Sequence, residues 1–174
     1  MTTGKTEDTQ RSRVIEWADP KIGIEAEHTM DGLKFLRAIL NGKIPPPPFW
    51  KTVGFKLVKI EPGVAVLSLN PGEWHYNTMG SVHGGATTAI LDTAMGSAIR
   101  TKLAHGRGYS TLEIKVNFIR PLTIDAGSVQ CNGRIIHIGR RIAMAEAKMI
   151  GQQGKLYALA NTTCMLFSHA AINP

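Results

Sequence analysis

The chain has 174 residues, 43% of them hydrophobic and 19% charged, a balance that excludes a disordered chain and suits one domain with a sizeable core. Lys and Arg number 20 against 13 Asp and Glu, a formal charge of +7, so an anionic partner is expected: nucleic acid, an anionic membrane surface or an anionic small molecule. No run of about 20 uninterrupted apolar residues is present, and the most apolar long segment, 84–103, carries Asp92 and Arg100.

The N-terminus is polar and has neither the basic stretch nor the apolar run of a secretory signal, so a cytoplasmic protein is expected. Residues 1–30 read as a mixed, polar and loose extension, with Trp17 free to dock on the body or on a neighbouring subunit. A single domain is expected over 31–170. Leu33, Leu36, Ile39 and Leu40 follow helical spacing between Asp31, a plausible N-cap, and Gly42, a plausible stop. Pro45 to Pro48 must be extended and make a stiff connector, with Phe49 and Trp50 expected in the core.

From Phe55 the pattern turns to strands. The segments 55–60 and 64–69 flank the turn signal Glu61-Pro62-Gly63. A loop rich in Gly, Pro and Asn runs from Asn70 to Val82, and one long helix is expected over about 84–103. In 111–118 the alternation places Leu112, Ile114, Val116 and Phe118 on one face and Glu113, Lys115 and Asn117 on the other. Three further strands are expected over 127–138, 141–150 and 155–167, the last two joined by a hairpin at Gln152-Gln153-Gly154. Spacing this tight leaves no room for crossover helices, so the fold class is α+β, one helix on a largely antiparallel sheet of five to six strands. One helix covers such a sheet incompletely, and self-association to at least a dimer is expected.

Cys131 and Cys164 fit neither a disulfide framework nor a metal-ligand spacing and read as buried thiols, so no metal is expected. The informative stretch is Asn77 to Asp92, containing His83-Gly84-Gly85. Two glycines stand at the helix entry, where backbone N–H groups lack internal partners and suit an anion or a developing oxyanion. Asp92 lies inside the apolar helix, where an acid is uncommon; it is either a chemical group or part of a solvated stripe. Gly84 and Asp92 are eight residues apart, about 12 Å along one axis, too far to touch one reacting carbonyl. If both act, Gly84 of one chain must face Asp92 of another, and the dimer becomes part of the site.

The spacing of Asn77, His83-Gly84-Gly85 and Asp92, and the strand 111–121 ending Asn117-Phe118-Ile119-Arg120-Pro121, resemble the hotdog-fold thioesterases. The PaaI-like (phenylacetate-degradation-type) acyl-CoA thioesterases, related to the 4-hydroxybenzoyl-CoA thioesterases, are the group most similar. The resemblance covers about 33–167. It implies a hotdog fold, a central helix wrapped by the sheet, with an N-terminal helical extension, and hydrolysis of an acyl-CoA to a free acid and coenzyme A. Asp92 would be nucleophile or general base, and the Gly84 N–H would polarise the thioester carbonyl. Asn77 would orient water or the thioester, and His83 would shape the turn and brace the Asn77 loop. A hydroxyl from the next strand would assist, from Thr111 or Ser110; alternation alone does not decide which face Thr111 shares.

Some relatives carry a Thr one turn beyond the acid, where this chain has Gly96, so a mechanism that needs that hydroxyl is in doubt. The resemblance places Arg140 and Arg141, with Gly85, near coenzyme A, whose phosphates match the guanidinium fork. Arg107 and Arg120 are weaker candidates. Coenzyme A belongs to the substrate, and no separate cofactor is implied. Homodimers paired into homotetramers are expected.

Met79, Met95, Phe118 and Phe49-Trp50 are candidates to line an acyl pocket of either aryl or fatty type. The alternative is a non-catalytic acyl-CoA binder or sensor on the same fold, which would not need Asp92. Dispersed positive residues and only 6% aromatics argue against a nucleic-acid binder, and no membrane partner is expected. A hotdog hydratase would organise its His and acid differently.

Overall fold

The computed structural model describes residues 10–168; the first nine positions of the expected extension, and the last residues of the expected domain, lie outside them. Four helices, α1 (Pro20–Thr29), α2 (Gly32–Leu40), α3 (Pro48–Val53) and α4 (Gly84–Arg100), accompany six strands. The strands are β1 (Phe55–Glu61), β2 (Val64–Leu69), β3 (Arg107–Phe118), β4 (Val129–Ile138), β5 (Ile142–Ile150) and β6 (Leu156–Ser168). They form one sheet in the order β1-β2-β4-β5-β6-β3, and every neighbouring pair is antiparallel. This is the expected α+β architecture, a hotdog fold with α4 packed along the inner face of the sheet.

The helix is held there by burial. Ile90, Leu91, Ala94, Met95, Ala98 and Ile99 are fully shielded and meet Leu67, Val129, Cys131, Ala145 and Met149 of the sheet. Close approach to β4 depends on Gly133, where a Cβ would lie 2.3 Å from the Ala94 carbonyl oxygen. Helix α4 ends at Arg100, three residues before the expected limit, and Gly106, at φ 70°, turns the chain into β3. Gly108 is the second residue of β3.

Three expectations near the N-terminus are corrected. Residues 20–29 are not loose: they form α1, in keeping with the helical extension that the resemblance implies, and Glu27 pairs with the buried Arg100 guanidinium at 3.0 Å. Burial pushes the Arg100 pKa down and the Glu27 charge holds it up. Only Pro45 to Pro47 act as the stiff connector, because Pro48 starts α3, a position where the missing N–H has no partner to lose. Trp50 enters the core as expected, whereas Phe49 is 53% exposed.

The strands carry irregularities that alternation does not foresee. In β3 the register with β6 slips between Thr111 and Glu113, so Leu112 is an extra residue. Tyr109, Thr111, Ile114, Val116 and Phe118 therefore lie opposite the β6 residues Leu166, Cys164, Thr162, Ala160 and Ala158. Leu112, expected inside with Ile114, is 57% exposed. Among the described residues, no helix is long and apolar enough to cross a membrane.

Candidate active site

The helix entry is built by hydrogen bonds within the chain. His83 is the N-cap of α4, and its Nδ1 accepts from the Gly85 N–H at 2.9 Å. The His83 carbonyl accepts from Ala86 and Thr87 at 3.0 and 3.3 Å. Gly84 alone in this first turn donates its N–H to no described residue, so the positive end of the helix dipole is concentrated on one available donor. Gly85 is therefore occupied in the cap, and a Cβ there would sit 3.0 Å from the His83 Nδ1.

The preceding loop is braced by Ser81 and His75, which no motif in the sequence marks. Asn77 Oδ1 accepts from the N–H groups of Met79 and Ser81, and its Nδ2 donates to the Ser81 hydroxyl at 3.2 Å. Ser81, rather than the His83 ring, thus holds the Asn77 amide. His75 fixes the loop's approach: its Nε2–H donates to the Val53 carbonyl at 2.6 Å, and Nδ1 accepts from the Gly72 N–H. The His75 carbonyl then accepts from the His83 N–H at 2.7 Å. A buried histidine saturated on both nitrogens is the signal for such a brace, but its partners at Val53 and Gly72 meet only in the fold.

Asn77 and Gly84 share a cavity of about 330 Å³ with Met79, Phe118, Met149 and Tyr157. Phe118 closes over the helix entry, and a Cβ on Gly84 would lie 3.1 Å from its ring. A second cavity, of about 600 Å³, lies against Phe49, Trp74, Tyr76, His83, Gly85 and Ala89. Met95, a candidate pocket residue, lines neither, because it is fully buried between α4 and the sheet.

Asp92 lies further along α4 and lines neither cavity. Its Oδ1 accepts a hydrogen bond from the Thr111 hydroxyl at 3.0 Å. Burial pushes the Asp92 pKa above the ordinary carboxylate value, and the Thr111 bond partly lowers it. The bulge at Leu112 brings Thr111 onto the helix-facing side, while Ser110 points to solvent. The thiols of Cys131 and Cys164 are buried, which pushes both pKa values up and keeps them protonated.

Arg140 and Arg141 are exposed at the β4–β5 turn. The Arg107 guanidinium donates to the Arg140 carbonyl at 3.1 Å, adding a third cation there. Arg120 instead donates to the Leu156 carbonyl at 2.6 Å and staples the end of β3 to β6. Among the described residues, no cluster of His, Cys, Asp and Glu has the makings of a metal site.

Residues 79–158, which include the helix entry, Asp92 and Thr111, match the thioesterase superfamily. Conserved protein PA5202 from Pseudomonas aeruginosa is 34% identical, covering 68% of this chain and 93% of its own, with a TM-score of 0.64. The chain belongs to the thioesterase superfamily. Within that superfamily, a mutant of phenylacetic acid degradation protein PaaI from Thermus thermophilus is 28% identical, over 68% of this chain and 97% of its own, with a TM-score of 0.62. The 1,4-dihydroxy-2-naphthoyl-CoA hydrolase of Listeria monocytogenes is 26% identical over 113 residues, 65% of this chain and 90% of that protein.

Proposed function

We propose that the protein hydrolyses an acyl-CoA thioester to a carboxylic acid and coenzyme A. The observation that carries this reading is the pairing of one available N–H at the entry of α4, on Gly84, with a desolvated, hydroxyl-held carboxylate on the same helix. The thioester carbonyl accepts from the Gly84 N–H, which stabilises the oxyanion that develops as the carbonyl is attacked. Asp92 either attacks directly or takes a proton from the attacking water. In both routes the C–S bond breaks, and the thiolate leaves to be protonated as coenzyme A; in the direct route a water then opens the acyl–Asp92 anhydride, releasing the acid and restoring the carboxylate. Thr111 holds the carboxylate in place, and Asn77, pinned by Ser81, presents its amide beside Gly84. His83 contributes by capping the helix.

Eight residues of helix separate Gly84 from Asp92, about 12 Å, so each site takes Gly84 from one subunit and Asp92 from another. A homodimer is then the minimal active unit, and pairing into a tetramer is compatible with it. Arg140, Arg141 and Arg107 supply positive charge for the phosphates of coenzyme A. Gly85 serves this site by donating its N–H to the His83 cap.

A steady-state panel of aryl-CoAs and fatty acyl-CoAs of increasing length tests the reading. Asp92→Asn is expected to lower kcat by about 10²–10⁴-fold on every substrate that the native protein turns over. Tight binding of acyl-CoAs by the native protein with no turnover across the panel would favour the binder or sensor instead. A single turnover in oxygen-18 water identifies the direct route when label appears in the Asp92 carboxylate, since label enters there only when water opens an acyl-enzyme anhydride at the Asp92 carboxyl carbon.

A further inference from the structure

Strand β3 presents a second hydroxyl to α4. Tyr109 stands two residues before Thr111 on the same inner face, opposite Leu166 as Thr111 is opposite Cys164. A Cβ built on Gly96 would lie 2.2 Å from the Tyr109 hydroxyl oxygen and 2.7 Å from the ring carbon that bears it. The phenol already fills the space that any side chain at position 96 would need. Gly96 is four residues beyond Asp92, on the same face and one turn along. Thr111 and Tyr109, about 7 Å apart along the strand, therefore meet helix positions 92 and 96, which are about 6 Å apart along the axis.

Two further observations give this hydroxyl a direction. It makes no hydrogen bond to any described residue, and Asp92 engages Thr111 through Oδ1. Burial, with the negative charge of Asp92 behind it, pushes the Tyr109 pKa upward, so the phenol stays protonated and keeps an O–H to donate. The other titratable groups facing it are Cys164 on β6, Arg100 on α4 and Glu27 on α1.

We propose that Tyr109 is a positioning residue: its hydroxyl, lodged over Gly96, donates toward the carboxylate side of α4. With Thr111 it fixes the oxygen that attacks, on Asp92 or on the water Asp92 activates. A hydroxyl thus reaches the helix one turn beyond the acid from the strand, and Gly96 is the glycine that makes room for it. This assignment rests on the thioester-hydrolase reading above.

Tyr109→Phe keeps the ring and removes the oxygen. It is expected to lower kcat about tenfold, the worth of one hydrogen bond, with KM unchanged, and to move the acid limb of the pH profile upward. A carbon-13 carboxyl titration followed by NMR reads Asp92 without turnover and is expected to show its pKa rise in Tyr109→Phe, because a donor to the charged form is lost. Adding Gly96→Thr to Tyr109→Val is expected to restore part of the kcat lost in Tyr109→Val alone, since it returns a hydroxyl from the helix. An active native enzyme whose Tyr109→Phe variant keeps kcat, pH profile and Asp92 titration overturns the role of Tyr109 and leaves the hydrolase reading intact, even if that variant melts earlier. A native protein inert toward every acyl-CoA, but with an Asp92 titration that shifts in Tyr109→Phe, overturns the hydrolase reading and leaves the coupling of the two residues standing.

Discussion

Asp92 is a carboxylate whose surroundings oppose its charge, and both the role proposed for it and its cost to stability follow from that. Burial raises its pKa, and the Thr111 hydroxyl draws it back by bonding the charged form. Thr111→Val removes only the second effect. It is expected to push the acid limb of kcat to higher pH, as measured on a substrate that the native enzyme turns over. The same balance acts on stability. With its pKa raised in the folded state, Asp92 binds its proton more tightly there than in the unfolded chain. Stability is therefore lost as pH rises from the unfolded value through the folded one, and stays lost above it. Asp92→Asn escapes that loss while keeping an acceptor for Thr111. It is expected to melt higher than the native protein at neutral pH, with the difference closing as pH falls below the unfolded value; equal melting temperatures at pH 7 would contradict this.

At the scale of elements, α4 is positioned by contacts in which a glycine admits a neighbour. Gly133 admits the α4 backbone, and Gly96 admits the Tyr109 ring. Backbone cannot swing aside as a side chain can, so Gly133→Ala is expected to destabilise the fold by about 1–3 kcal/mol, read as a shift in the urea midpoint at unchanged slope. Helix α4 and the strands were legible in the sequence because their apolar periods of 3.6 and 2 are written into it. The face shared by Thr111 was not, because a bulge shifts the phase by one residue without any marker in composition. Leu112 reads as an inward residue by alternation and is turned outward by its register with β6. The brace on Asn77 was half legible: the loop residues are local, but His75 acquires its role from Val53, on a different element.

For the whole molecule, the proposed site needs two copies, because one thioester served by both Gly84 and Asp92 cannot span eight residues of a single helix. Subunit mixing tests this directly. Asp92→Ala and Gly84→Val are each expected to be inactive alone. Refolded together at equal amounts, they are expected to recover about a quarter of native activity, since about half of the dimers are mixed and each mixed dimer holds one intact site of two. No recovery in mixtures shown to contain mixed dimers would place the chemistry within one subunit.

The sequence by itself determined the fold class, the long helix with an acid inside it and the paired glycines at its entry, because each depends on residue type and local spacing. Only the tertiary structure decided that Gly84 keeps the available N–H while Gly85 is capped by His83, that Thr111 rather than Ser110 reaches Asp92, and that the space beside Gly96 belongs to Tyr109. Those choices depend on which atoms from distant segments reach the same few ångströms first. Hydrogen bonds and steric exclusion settle that only after β3 and α4 have packed against each other.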